Sequence, residues 1–388
     1  MPATIERTQR RYDLDWLRVL AILTVFAYHS ARFFDLEFWH IKNASTYLLA
    51  QAWTTVLGGW MMPLIFVISG ASVYYAIGKG GAGKFMWDKV LRLGVPLIVG
   101  AFTHASLQVY LERLTHGDFS GTYFQFLPYY FQGHYEGGNP AAGNFALTGM
   151  HLWYLAWLFA FTLILYPLMR WLVGRGKGVL GWLGNALSQP GAVFVLVLPI
   201  LLGSMDNEDD SFLLWWEAGW PLLVYLWLLL CGFVLASSEK LLDRIQSMRW
   251  ISLGLAFGSI AASALVAFLG EFPAYGSAQY MLALGLRGLS GWCWVLAFLG
   301  LGRQYLTRST PFVRYANEAV LPFYILHQTV ILGIGYFVVQ WPIPSLLKWV
   351  IIFVIALAIV MALYEVVRRV NVLRVLFGMK WRKKAPAA

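Results

Sequence analysis

The sequence predicts an all-α, polytopic integral membrane protein of about ten transmembrane helices, with both termini in the cytoplasm. Composition is the first reason: of 388 residues 59% are hydrophobic and only 12% charged, and the mean hydropathy is +0.63. A soluble domain of this length needs far more charge to cover its surface. Run length is the second, because apolar stretches of roughly 20 residues, enough to cross a bilayer, recur from end to end. Nothing in the pattern suggests the alternating strands of a membrane barrel. The third is charge: every second connector is basic, which marks the cytoplasmic side. The chain reads as a single membrane domain over 1–388, with its membrane core at about 14–367 and a basic tail at 368–388.

Taken in order, Arg7, Arg10 and Arg11 hold the N-terminus inside, so the first span, about 14–35, runs outward. The second, about 47–77, returns to a basic loop with Lys79, Lys84 and Lys89. A third starts near "VLRLGVPLIVG" and leads to a long outer segment, 112–149; the fourth opens at "HLWYL" and ends at Arg170, Arg175 and Lys177. Spans five and six, about 191–204 and 218–236, flank the acidic outer loop "MDNEDDSF", and Lys240, Arg244 and Arg249 mark the cytoplasm again. Seven and eight, about 250–269 and 279–301, flank "GEFPAYGS" and precede Arg303, Arg308 and Arg314. Nine and ten, about 316–339 and 345–367, are joined by "QWPIPS", and the tail "KWRKK" is basic. An error of one helix would break the alternation downstream.

Several function classes drop out. The net charge of +10 sits in these connectors and termini, so it reads as topology and not as a nucleic-acid patch. Cys231 and Cys293 lie inside apolar runs, against a disulfide framework or a cysteine metal site. Seven histidines invite a metal, yet no HxxxH or HExxH spacing occurs and no acidic residue stands beside the buried ones, so none is expected. "GKGGAGKF" at 78–85 imitates the start of a Walker A motif, but Phe85 replaces the magnesium-binding hydroxyl and a membrane helix precedes it. No cleavable signal peptide is expected, and no tandem repeat favours a repeat-built transporter. "NAS" at 43–45 is a formal glycosylation sequon.

Ionisable side chains within apolar runs carry the chemistry, since each is costly in hydrocarbon. Arg18 and His29 are separated by eleven steps, about 16 Å along a helix and close to three whole turns, so they share one stripe. A snorkelling arginine with a histidine near the outer boundary is the competing reading. His327, near the middle of span nine, can orient His29, bind substrate, or donate to a backbone carbonyl. Tyr324 lies one turn before it on the same face. Arg287, deep in span eight, needs an anionic ligand or a structural ion pair. His151, at the outer mouth of span four, is either a site residue or a helix cap. The outer stretch 117–145 is dense in aromatic, glycine and polar residues, which suits either a sugar or an interfacial belt.

Arg18, ten residues and His29 within "YDLDWLRVLAILTVFAYHS" resemble the first-helix signature of the acyltransferase-3 family of membrane acyltransferases. "FVISGA" (Phe66 to Ala71) resembles its second-helix motif, "DKVLRLGVP" its third-helix entry, "HLWYL" its fourth-helix opening and "LPFYILHQ" its late Tyr-x-x-His segment. The match runs along nearly the whole chain and is most similar to the glucan-modifying branch, of the glucan biosynthesis protein C type. One position departs: the family often has Arg-x-x-Arg where this chain has Lys89 and Arg92, and lysine loses the bidentate fork.

The resemblance implies transfer of an acetyl or succinyl group from cytoplasmic acyl-CoA, a donor substrate and no permanent cofactor, to a hydroxyl of an extracytoplasmic glycan. It further implies catalytic roles for His29 and His327, with His29 as general base, and CoA phosphates held by Arg18, Lys89 and Arg92. Tyr324, Arg287, His151 and Trp153 are the expected substrate contacts. A neutral imidazole suits that deprotonation because its pKa lies near operating pH. The expected partners are acyl-CoA, a glycan or other hydroxyl acceptor and the lipid bilayer of a bacterial cytoplasmic (inner) membrane, without nucleic acid; a monomer and a homodimer are both open. The alternative class is a transporter or exporter that uses the same buried charges in a substrate or proton pathway.

Overall fold

A computed structural model describes residues 10–205, 216–268, 273–274 and 276–382. It is 74% helical with almost no strand, which settles the all-α class. The helices are α1 (Tyr12–Ala31), α2 (Leu48–Gly58), α3 (Met61–Ala76), α4 (Ala82–Lys89), α5 (Val95–Phe102), α6 (Ala105–His116), α7 (Tyr123–Tyr130), α8 (Trp153–Val173) and α9 (Lys177–Leu187). They continue with α10 (Leu198–Met205), α11 (Leu222–Leu235), α12 (Glu239–Ser247), α13 (Arg249–Phe268), α14 (Ala278–Tyr305), α15 (Pro311–Val338), α16 (Ser345–Val367) and α17 (Asn371–Leu376).

Among the described residues seven helical stretches are long and apolar enough to cross a membrane, or nine if two sharply bent pairs each count as one. The pairs are Lys177–Leu187 with Ala192–Gly203, bent by 111°, and Leu222–Leu235 with Glu239–Ser247, bent by 107°. Ten spans were expected. The 20-residue α1 is outside the set, and it carries Asp13, Asp15, Arg18 and His29. The third span also runs further than its sequence suggests, from Ala82 to His116, so the first residues of the expected outer segment are helix. The acidic stretch at 206–212, half of "GEFPAYGS", Arg7 and the end of the basic tail lie outside the described residues.

The chain divides into two compact units. The first gathers the residues up to Ala21, Thr55–Phe85 and Phe161–Asn317. At its centre α3 lies on α11, where a Cβ on Gly70 would fall 1.9 Å from the Leu229 carbonyl oxygen and one on Gly232 would fall 1.9 Å from that of Val67. Two glycines let the backbones meet, and such close packing is what holds helices together in lipid, where water supplies no drive. Hydroxyls tie α13 to α14: Ser290 Oγ donates to the Ala256 carbonyl at 2.8 Å and Ser263 Oγ to that of Ala283 at 2.7 Å. The buried indoles of Trp220 and Trp292 donate to the carbonyls of Gly58 and Val193, at 3.3 and 3.2 Å.

The second unit gathers Ile22–Thr54, Met86–Ala160 and the chain from Glu318 onward. Pro96 has no N–H for the Arg92 carbonyl and its ring crowds that oxygen; the ladder before it widens into a π-helical turn, Val90–Gly94. The aromatic stretch at 117–145 folds onto α6. Phe126 and Tyr130 of α7 bury against Ala105, Val109 and Ala146, with Phe119, Tyr135 and Phe145 packed around them. Thr122 and Gln125 form a capping box that starts α7.

The connector after α1 is pinned by ions. Asp35, fully buried, accepts from Arg32 at 2.6 Å and from Lys42 at 2.7 Å. Asn43 of the sequon is buried, donating to Ser45 and Ser345 and accepting from Lys348 at 2.8 Å. Its amide is structural and is not presented for modification.

Candidate functional site

The site grows from the last turn of α1, which brings His29 to His327 in the middle of α15. Their ring centroids are 5.3 Å apart. Phe26, one turn before His29, packs on Phe323 and Phe353 and sets how the two helices meet. On the other side Trp39 lies nearly parallel to His29, with centroids 6.2 Å apart and planes 18° apart.

The protons on these rings follow from their partners. Nδ1 of His327, a side chain only 1% exposed, lies 2.6 Å from the Tyr324 carbonyl oxygen of its own helix. A carbonyl can only accept, so Nδ1 carries the hydrogen and Nε2 keeps a lone pair. That Nε2 is buried and has no hydrogen-bond partner, and the same holds for Nδ1 of His29. Native proteins seldom leave buried polar atoms in that state, and each one asks for an explanation.

His151 is locked onto α15 from the start of α8. Its Nε2 donates to the carbonyls of Tyr324 and Ile325 at 3.1 and 3.0 Å, and the Tyr324 hydroxyl donates back to the His151 carbonyl. Its remaining nitrogen, Nδ1, accepts from Gln108 Nε2 at 3.2 Å. The His151 ring stands edge-on to His327, centroids 5.1 Å apart, and 6.3 Å from His104. Trp153, half-buried, opens α8 two residues later.

Of the residues singled out in the sequence, His29, His327, His151 and Tyr324 come together in this cluster. Lys89 closes α4 and Arg92 sits exposed in the π-helical turn of the same unit. Arg18 belongs to the first unit, where its Nη2 donates to Ser72 at 2.7 Å and its Nη1 to Asn317 at 3.1 Å, with Asp15 at 3.4 Å. Arg287, also in the first unit, stands over the Trp220 ring at 5.1 Å.

Four residues that sequence reading did not single out also belong to the site. Gln108 on α6 reaches both His151 and Thr329, the latter at 2.7 Å. His40 Nδ1 meets Glu112 Oε2 in a short contact. His40 Nε2 faces Gln328 Nε2 at 3.2 Å. Glu37, three positions before His40, pairs with Arg32, and the carboxylate on His40 is Glu112, which folding supplies from α6. The Tyr135 hydroxyl donates to Glu112 at 2.8 Å, and burial together with that carboxylate pushes the phenol above its usual range, which keeps it a donor. One signal in the sequence was available for Gln328: it directly follows His327 in an otherwise apolar run.

A desolvated imidazole with a free lone pair, braced by a second imidazole, is equipped to take a proton from a weakly acidic group held against it. No curated protein and no solved structure gives a significant match to the chain. The family model described as an acyltransferase domain, acyltransferase-3, matches residues 11–365. That is nearly the whole chain, and this integral membrane protein belongs to the acyltransferase-3 family.

Proposed function

We propose that the protein is a membrane O-acyltransferase that moves an acetyl or succinyl group from cytoplasmic acyl-CoA to a hydroxyl of an extracytoplasmic glycan. The glucan-modifying branch is the favoured subgroup and a bacterial inner membrane the favoured location. In this reading α1 joins the nine other candidates as a tenth span, and the basic residues near both ends assign the termini to the cytoplasm. One observation carries the chemistry: His29 and His327 lie 5.3 Å apart, and each turns a buried, unpartnered ring nitrogen into the protein.

In this reading His29 Nε2 is the general base. As it removes the proton from the acceptor hydroxyl, the oxygen attacks the thioester carbonyl and a tetrahedral intermediate forms. Collapse breaks the carbon–sulfur bond, the ester leaves with the glycan, and the same proton passes from His29 to the CoA sulfur. His327, whose lone pair is fixed on Nε2, receives the Nδ1–H of the transient imidazolium and steadies its charge. Arg18, Lys89 and Arg92 hold CoA phosphates by charge-assisted hydrogen bonds. His151 and Tyr324, each bonded to the other's segment, keep α15 and its histidine in place, with Trp153 beside them. Arg287 is assigned a structural cation–π contact in this scheme.

The test is transfer by the purified protein, with radiolabelled acetyl- or succinyl-CoA and soluble glucan oligosaccharides. CoA release matched by label on the glycan is expected. His29→Ala should lower kcat by about 10²–10⁴-fold while acyl-CoA still binds, the usual contribution of a general base. Near-normal turnover in that variant removes His29 from the mechanism. A wild-type protein that moves no label leaves the transporter reading in its place.

A further inference from the structure

Two glutamines of the second unit are held in the same unusual way. Gln108 is completely buried and Gln328 is 2% exposed. In each, the amide nitrogen is taken up and the amide oxygen, also buried, has no partner. Gln108 Nε2 donates to His151 Nδ1 and to Thr329 Oγ1. Gln328 Nε2 donates to His40 Nε2.

Neither amide can turn over without loss, and the reason is chemical. His151 Nε2 lies on two carbonyl oxygens and must carry the hydrogen, so His151 Nδ1 is a lone pair. His40 Nδ1 donates to the Glu112 carboxylate and His40 Nε2 takes the Gln328 amide N–H, so in this pairing Nε2 is a lone pair too. A flipped glutamine would aim its own oxygen at that lone pair. Glu112 is an acceptor on both oxygens, with Tyr135 and Arg113 as its other donors, the latter at 3.3 Å, so the Nδ1–H of His40 has a fixed acceptor.

Two buried amide oxygens of the second unit therefore await a hydrogen: that of Gln108, whose amide nitrogen holds His151, itself 5.1 Å ring to ring from His327, and that of Gln328, the next residue after His327. A ligand that satisfies them must carry hydrogen-bond donors, as a sugar with several hydroxyls does. Building on the acyltransferase reading, we infer that Gln108 and Gln328 form a hydroxyl-binding subsite for the polyhydroxylated acceptor, and that His151 and the Glu112–His40 pair are the positioning residues that point their amide oxygens. The sugar hydroxyls donate to the two amide oxygens, which aligns a neighbouring hydroxyl with the base.

Kinetics of the full-length purified protein test this, with glucan oligosaccharides and labelled acyl-CoA varied in turn. Gln108→Met and Gln328→Met keep the side-chain length and remove the acceptor, so the KM for oligosaccharide should rise about tenfold in each, the usual worth of one such bond. The KM for acyl-CoA should stay as it is. Glu112→Gln should raise the same KM, and combined with Gln328→Met it should add nothing further, because it acts through that amide. Additive losses would make Glu112 merely structural and overturn its positioning role. An unchanged oligosaccharide KM in both methionine variants overturns the subsite. A raised acyl-CoA KM alone assigns the amide oxygens to the N–H groups of the donor's pantetheine arm and overturns it as well. If the wild-type protein moves no label at all, the acyltransferase reading fails first and the subsite with it; thermal midpoints of each variant exclude misfolding as the cause.

Discussion

Arg18 and His29 share α1, yet their surroundings differ in kind. The guanidinium of Arg18 has neutral partners in Ser72 and Asn317 and one carboxylate, Asp15, at 3.4 Å, and its side chain is 27% exposed. Charge to spare and access to solvent suit a phosphate. Arg18→Ala should weaken equilibrium binding of CoA by roughly 10–100-fold, the worth of a charge-assisted bond, and Arg18→Lys should restore part of it. Unchanged affinity, measured by titration calorimetry, would return Arg18 to bracing α1. The sequence revealed Arg18, His29 and His327 because a charge or an imidazole stands out in an apolar run. It concealed Gln108, Gln328 and Glu112, whose meaning lies in partners far away along the chain: His151 for the first, and His40 for the other two.

Helices are where the sequence was most legible. Stretches such as Ser345–Val367 and Ala278–Tyr305 fall within a few residues of the expected spans. Breaks were not legible, since an apolar run gives no sign of where it bends; the second span is interrupted between α2 and α3, and α10 and α11 belong to sharply bent pairs. Nor does sequence alone say which glycines carry a contact. Gly70 and Gly232 do, and alanine at either would have to force α3 from α11 against backbone atoms that cannot yield. Each substitution should cost about 1–3 kcal/mol, the range for overpacking, and lower the thermal midpoint of the detergent-solubilised protein. Midpoints equal to wild type in both variants would show that the helices separate freely.

At the scale of the molecule the acyl-transfer scheme stands or falls on sidedness. The basic connectors of the sequence predict 79–89 inside and 112–149 outside, an expectation that composition gives and a helix count does not. Gly83 and Ser120 are exposed, and both cysteines are buried. In a Cys231→Ala, Cys293→Ala background, Ser120→Cys should react with an impermeant thiol reagent in intact cells, whereas Gly83→Cys should react only after lysis. The reverse result would invert the orientation and leave a cytoplasmic thioester on the wrong side of its acceptor.

The π-helical turn at Val90–Gly94 bears on how this chain is to be lined up with others of its family. A helix pinned by packing at both ends can absorb one extra residue there, and the phase slip of about 100° that the residue brings stays confined to the turn. Relatives one residue shorter at this point can therefore keep every later position on its accustomed face. An alignment gap belongs inside 90–94 and nowhere else in the span. By the same slip Lys89 and Arg92 no longer stand one turn apart, so their three-residue spacing cannot be equated with an Arg-x-x-Arg pair on an unbroken α-helix.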